Sequence, residues 1–258
     1  MAKVREIERF LYDWAPKELA VSWDNVGLLV GDPEETVQTV LVALDITQGV
    51  VEEAVQLGAE LIVAHHPVMN CAWHPVQTLR EDDPLGKKLR TLVRENISAI
   101  CMHTNLDAAE GGVNDVLAEK LGLTDVLPLG EDGIGRIGAL KEEKSLAEYT
   151  SCVVKSLGCN GAHVRDGGKT VHLVAVGGGA CGSYIAAAKA KGCDTFVTSD
   201  LKYNDFLDTE GLNLIDAGHF PTENVICPVI AERLREAFPG LKLVVSASHK
   251  EAMEYYMS

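Results

Sequence analysis

Leu61-Ile62-Val63-Ala64-His65-His66-Pro67 is an apolar run of four residues that stops at two histidines and a proline. With a helical pattern before it and a proline after, the run reads as a buried parallel strand covered on both faces. His65 and His66 then stand at its carboxyl end. In an open α/β sheet that edge binds ligands, because the loops diverge there and leave a crevice. Neutral imidazole is a common metal ligand, so the pair is a candidate metal site, although a plain turn containing two histidines explains it equally well.

The flanking sequence favours a site. A strand over 40–44, Thr47 as a helix cap, a helix through Val50, Val51, Ala54 and Val55, and Gly58 as its stop make a βαβ unit with the 61–64 strand. Leu85, Leu89, Leu92 and Val93 mark another helix, and a strand over 97–102 runs into His103-Thr104-Asn105-Leu106-Asp107. A second strand therefore opens onto metal-ligand chemistry at the same sheet edge, with capping an added role for Asp107. Upstream, Val4, Ile7, Phe10, Leu11 and Trp14 space out an amphipathic helix ended by Pro16, and Trp23 to Gly31 reads as a loop feeding a strand.

The second half repeats this order. Gly130 to Gly138 reads as a joint, dividing the chain into α/β repeats over 1–125 and 126–258. Residues 171–200 follow the pattern of 40–66, so that Ser199-Asp200 corresponds to His65-His66. The next strand, over 212–215, ends in Asp216-Ala217-Gly218-His219-Phe220-Pro221-Thr222-Glu223, where His219 takes the place of His103 to Asp107. Glu223, four residues on, is spaced to reach the same ion. Such a duplication predicts two repeats contributing strand ends to a shared cleft. A helix over 225–238 and a strand over 241–245 follow.

The totals narrow the function. A chain of 258 residues, 47% apolar and 24% charged, has an ordinary globular composition. Its net charge of -15 argues against nucleic-acid or anionic-membrane surfaces, which need basic patches. The start lacks the apolar core of a signal peptide and no run is long enough to span a bilayer, so a cytoplasmic protein with no membrane partner is expected. Seven cysteines without a C-x-x-C pair suggest small buried hydrophobes rather than disulfides.

Gly177-Gly178-Gly179-Ala180-Cys181-Gly182 offers a competing reading. It contains G-x-G-x-x-G between a strand and a helix, with Asp200 at the end of the next strand, as a dinucleotide fingerprint requires. A close-packing turn and an anion site for a substrate phosphate are the alternatives. On the latter view Gly177, Gly179, Gly182 and Asp200 contact substrate. No G-x-S-x-G elbow, Walker A loop or H-E-x-x-H helix occurs. His163, His172 and His249 read as structural or exposed.

Taken together, His65-His66-Pro67, His103 to Asp107 with Gly111-Gly112-Val113-Asn114-Asp115, and Asp216 to His219 with Thr222-Glu223 resemble the Nif-three-like family, also filed as GTP cyclohydrolase I type 2 homologues. Trp23 to Gly31 and Gly133 to Gly138 fit it too. The resemblance implies two intertwined α/β repeats with mixed, mostly parallel sheets around a dinuclear centre. By motif position its ligands are His65, His66, Asp107, His219 and Glu223, for two divalent ions such as zinc, iron or manganese. It further implies a homohexamer and suggests a purine nucleotide such as GTP, opened at its imidazole ring, as substrate. The ligand chemistry itself reads as that of a metal-dependent hydrolase, with water activated at the metal and Glu223 and His103 in catalytic roles. A non-catalytic metal chaperone or metal-sensing scaffold would use the same ligands. Asn204, where members often carry histidine, and Asn70-Cys71-Ala72-Trp73 after His-His-Pro depart from the family pattern.

Overall fold

The computed structural model describes residues 1–71 and 75–256, so Trp73 and the end of the Asn70 to Trp73 segment lie outside the described residues. The chain folds into two compact units. One comprises residues 1–109 and 226–250, the other 110–225 and 251–258.

In the first unit a five-stranded sheet runs Lys242–Val245, Thr39–Ala43, Leu61–Ala64, Ser98–Cys101, Gly27–Val30. The first four strands are parallel and the Gly27–Val30 edge is antiparallel. All four residues of Leu61–Ala64 are fully buried, as the unbroken apolar run demands. Burying each large aliphatic side chain contributes roughly 2 kcal/mol. Val50, Val51 and Ala54 from the Gln48–Leu57 helix and Leu89 and Leu92 from the Pro84–Arg94 helix cluster with Leu41 and Ile62 of the sheet. Local chemistry sets the helix ends. Thr47 Oγ1 accepts from the Val50 N–H, Gly58 closes the same helix at φ +63°, and Asp83 caps the next one ahead of Pro84. The Val4–Trp14 helix meets the Ile226–Ala237 helix through the Arg233 guanidinium, 4.2 Å from the Trp14 ring centre, and meets Phe238, just beyond that helix, through an edge-on pair with Phe10 at 5.6 Å.

In the second unit the six-stranded order is Thr124–Pro128, Arg136–Lys144, Val171–Val176, Thr195–Thr198, Asn213–Asp216, His163–Arg165. Its three central strands, from Val171–Val176 to Asn213–Asp216, are parallel and the flanking pairs antiparallel. Thr39–Ala43, Leu61–Ala64 and Ser98–Cys101 thus have counterparts in Val171–Val176, Thr195–Thr198 and Asn213–Asp216. The two parallel cores repeat the same βαβ plan.

The chain path differs from sequence order at two places. The glycine-rich stretch read as a joint is the turn of a hairpin between Thr124–Pro128 and Arg136–Lys144, with Gly133 and Gly135 at φ +81° and +75°, values open to glycine. The Ile226–Ala237 helix and Lys242–Val245 strand return to the first unit, where Leu243 pairs with Val40. The repeats are therefore intertwined rather than consecutive.

One buried charge ties the hairpin to the Val113–Lys120 helix that precedes it. Arg136 is 4% exposed and forks onto Asp115, with Nε to Oδ1 at 2.5 Å and Nη2 to Oδ2 at 3.0 Å. Its Nη1 donates to the carbonyls of Gly133 and Gly135, while the Gly111 N–H donates to Asp115 Oδ2. Asp115→Ala would strand the guanidinium in a buried site and should cost about 3 kcal/mol. A shift of the urea midpoint to lower concentration checks this, and an unchanged midpoint would mean that the pair is dispensable.

Candidate metal centre

Three parallel strands of the first unit end side by side, and the ladder continues one residue past them. The His65 N–H donates to Leu44, the His66 N–H to Leu44, and the Met102 N–H to Ala64. Backbone pairing thereby holds Asp45, His65, His66 and His103 at one edge. One ring nitrogen from each of His65, His66 and His103 lies within 4.8 Å of the others, and ring centres stand 5.0 to 5.5 Å apart. His65 is fully buried and His103 nearly so. Asp107, four residues after His103 and also buried, brings Oδ1 to 3.6 Å from His65 Nε2.

In each of these rings Nδ1 faces a fixed acceptor. His65 Nδ1 donates to the Met102 carbonyl at 2.8 Å, His66 Nδ1 to Asp45 Oδ1 at 2.7 Å, and His103 Nδ1 to Asp24 Oδ1 at 2.9 Å. The proton is assigned to Nδ1 because a carbonyl or carboxylate can only accept. A neutral ring so held carries its lone pair on Nε2, the arrangement that orients a histidine toward a metal. Asp24 also takes the Thr104 N–H at 3.0 Å and its hydroxyl at 2.5 Å. Burial opposes charge on Asp24, but the His103 and Thr104 donors bring its pKa down to about 2. Asp45 is likewise opposed by burial and held well below the usual carboxylate range by donors on His249 and His66. The exposed Trp23 ring stands edge-on to His103 at 6.0 Å.

The second unit repeats this grammar. His219 opens the His219–Glu223 helix after the Asn213–Asp216 strand, as His103 precedes Thr104–Ala108 after Ser98–Cys101. Each histidine is followed four residues later by a buried carboxylate, Asp107 or Glu223. His219 Nδ1 bonds Asp200 Oδ2 at 2.6 Å, and its Nε2 lies 2.9 Å from Glu223 Oε2. Burial works against a charge on this ring, yet the two carboxylates outweigh it and push its pKa up to about 11. A cation binding at Nε2 displaces that proton. Asp200 reaches His219 from a left-handed backbone at φ +54°, a conformation aspartate tolerates better than most residues.

Gly177, Gly179 and Gly182 occupy the turn after Val171–Val176. The Gly177 N–H donates to Val197, that of Gly178 to Asn114 Oδ1, that of Gly179 to Thr222 Oγ1, and that of Cys181 to Gly179 and Thr198. These donors serve protein acceptors rather than a phosphate cradle, and the Ile185–Ala190 helix beyond is only six residues long. The glycines permit close approach instead. A Cβ on Gly179 would fall 2.0 Å from Glu223 Oε1 and 3.2 Å from His219 Nε2. Asp200, read from sequence as a substrate contact, is placed as the acceptor for His219. Nothing in the sequence spacing marks Asp24 and Asp45 as site residues.

The donor set fits a borderline divalent ion. It consists of imidazole nitrogens and carboxylate oxygens, and burial keeps the nearby Cys101 thiol protonated, with a pKa near 12. Gly179→Ala should push the Glu223 carboxylate out of place and lower metal affinity by ~10-fold or more, the scale of a lost supporting contact. Titration with zinc beside circular dichroism checks it; wild-type affinity in the folded variant would contradict it.

Comparison with known proteins shows the family. The family profile of Duf34/NIF3 (NGG1p interacting factor 3) matches residues 2–252. The chain is 34% identical to the GTP cyclohydrolase 1 type 2 homolog of Clostridium perfringens, with 98% of this chain and 99% of the relative covered. Among solved structures, a Bacillus cereus protein related to NIF3 superposes with a TM-score of 0.92 at 26% identity, over 99% of each chain. Protein ybgI, described as of unknown function, superposes with a TM-score of 0.86 at 28% identity, covering 95% of this chain and 98% of that one. With its strand-end histidines and its intertwined repeats, the chain belongs to the DUF34/NIF3 family.

Proposed function

We propose that the protein is a metal-dependent hydrolase. His65, His66, Asp107, His219 and Glu223 hold a dinuclear divalent-metal centre, and the substrate is a purine nucleotide. The observation that carries this reading is the set of strand-end histidines whose Nδ1 atoms are engaged by Met102, Asp45, Asp24 and Asp200. Core histidines that serve packing alone do not need carboxylate partners at Nδ1, whereas metal-binding histidines characteristically have them.

Zinc, iron or manganese bound there would supply Lewis acidity, which brings the pKa of water from ~16 toward ~7 and makes a nucleophile available at neutral pH. The chain's own residues supply the rest. Asp24 fixes the orientation of His103, which places a ring nitrogen among the candidate ligands and makes it the group to carry a proton to or from substrate. Glu223 is held against Gly179, so its carboxylate enters the reaction already oriented. The relatives' shared name, GTP cyclohydrolase 1 type 2 homolog, makes GTP the first substrate to try. In the expected reaction water adds at the carbon between the two imidazole-ring nitrogens and a carbon–nitrogen bond opens.

The test is GTP consumption by protein reconstituted separately with zinc, manganese and iron. His65→Ala and Glu223→Ala should each lower turnover by at least ~100-fold, beyond what loss of a supporting partner alone costs. Full turnover and full metal content in Glu223→Ala would defeat the proposal. Absence of turnover with readily exchanged ions would point to metal delivery or sensing by the same ligands.

A further inference from the structure

His249 lies 204 residues from Asp45 in sequence, in the segment that follows the Lys242–Val245 strand. Its Nε2 nevertheless stands 2.9 Å from Asp45 Oδ2, while the other oxygen of the same carboxylate receives His66 Nδ1 at 2.7 Å. One carboxylate is therefore shared between two imidazoles, one oxygen to each. Both rings are largely buried, with side-chain exposures of 12% for His66 and 10% for His249, against 37% for Asp45 between them.

The segment carrying His249 is fastened independently of that contact. Glu53, on the Gln48–Leu57 helix, accepts the Ser246 hydroxyl at 2.5 Å and the N–H groups of Ala247 and Ser248 at 3.0 and 3.1 Å. The His249 N–H then turns back onto Ser246 Oγ at 3.2 Å. These four bonds fix where the backbone delivers the imidazole. A half-exposed aspartate with a single partner can rotate its carboxyl group and exchange that partner for water. Engaging Oδ2 leaves Oδ1 with one orientation, and Oδ1 in turn sets the plane of the His66 ring.

We propose that His249 is a positioning residue for the metal-binding histidine His66, acting through the Asp45 carboxylate that the two imidazoles share. The inference rests on the reading of His66 as a metal ligand and extends the site to a third layer, carried in by the Glu53-fastened segment near the chain's end. His249 touches neither metal nor substrate in this role. What it supplies is a directed N–H donor. Glutamine, whose amide nitrogen lies close to the position of a histidine Nε2, should replace it where alanine cannot.

Cobalt(II) titration of the whole chain, followed by the visible absorption of the bound ion and by thermal melting of the same samples, tests this. His249→Ala should weaken cobalt binding by ~10-fold or more and alter the absorption band, while His249→Gln restores both. Glu53→Ala, which leaves His249 in place but frees its backbone, should weaken binding in the same direction. It keeps the test open if His249→Ala melts early. Wild-type cobalt affinity in a folded His249→Ala, or a glutamine variant no better than alanine, would overturn the inference. His66→Ala separates the layers: if it leaves the cobalt spectrum and affinity unchanged, the ligand assignment itself has failed, not merely its support.

Discussion

The site depends on one constraint, that a buried imidazole must place its Nδ1 proton somewhere. A buried polar group without a partner costs about 1–3 kcal/mol, so each histidine at a strand end is matched to an acceptor. Met102 supplies a carbonyl to His65, and Asp45, Asp24 and Asp200 supply carboxylates to His66, His103 and His219. Satisfying this requirement fixes ring planes and tautomers together. The shared edge of His65, His66 and His103, which could hold a metal ion, is thereby arranged by ordinary packing requirements.

The sheet delivers these groups because parallel strands in register end together. Ala43, Ala64 and Cys101 are neighbours across the first sheet, so the residues that follow them emerge at one edge. Duplication extends the device. Histidine and carboxylate four residues apart follow the corresponding strand of each repeat, as His103 with Asp107 and as His219 with Glu223. The glycine turn after Val171–Val176 belongs to the same design, for only a residue without Cβ lets the backbone pass beside the Glu223 carboxylate.

The sequence makes much of this legible. Apolar runs such as 61–64 mark buried strands because both sheet faces are covered, and the histidines that interrupt them at their ends are conspicuous. Asp24, Asp45 and His249 carry no such mark, because their hydrogen bonds span 79, 21 and 204 residues, and bonds between distant segments leave no local period. The hairpin over 124–144 was hidden by its glycine-rich turn and by the Lys141-Glu142-Glu143-Lys144 end of its second strand, which resembles a solvated linker. Strand exchange near the end of the chain leaves no local trace either. The Lys242–Val245 strand continues the second repeat in sequence but pairs beside Thr39–Ala43.

The most direct measurement is anomalous diffraction at the zinc edge from crystals of the reconstituted protein. The account predicts anomalous peaks against Nε2 of His65, His66 and His219, with each Nδ1 still on Met102, Asp45 and Asp200. Peaks bonded to Nδ1, or peaks only at surface carboxylates away from these histidines, would contradict it.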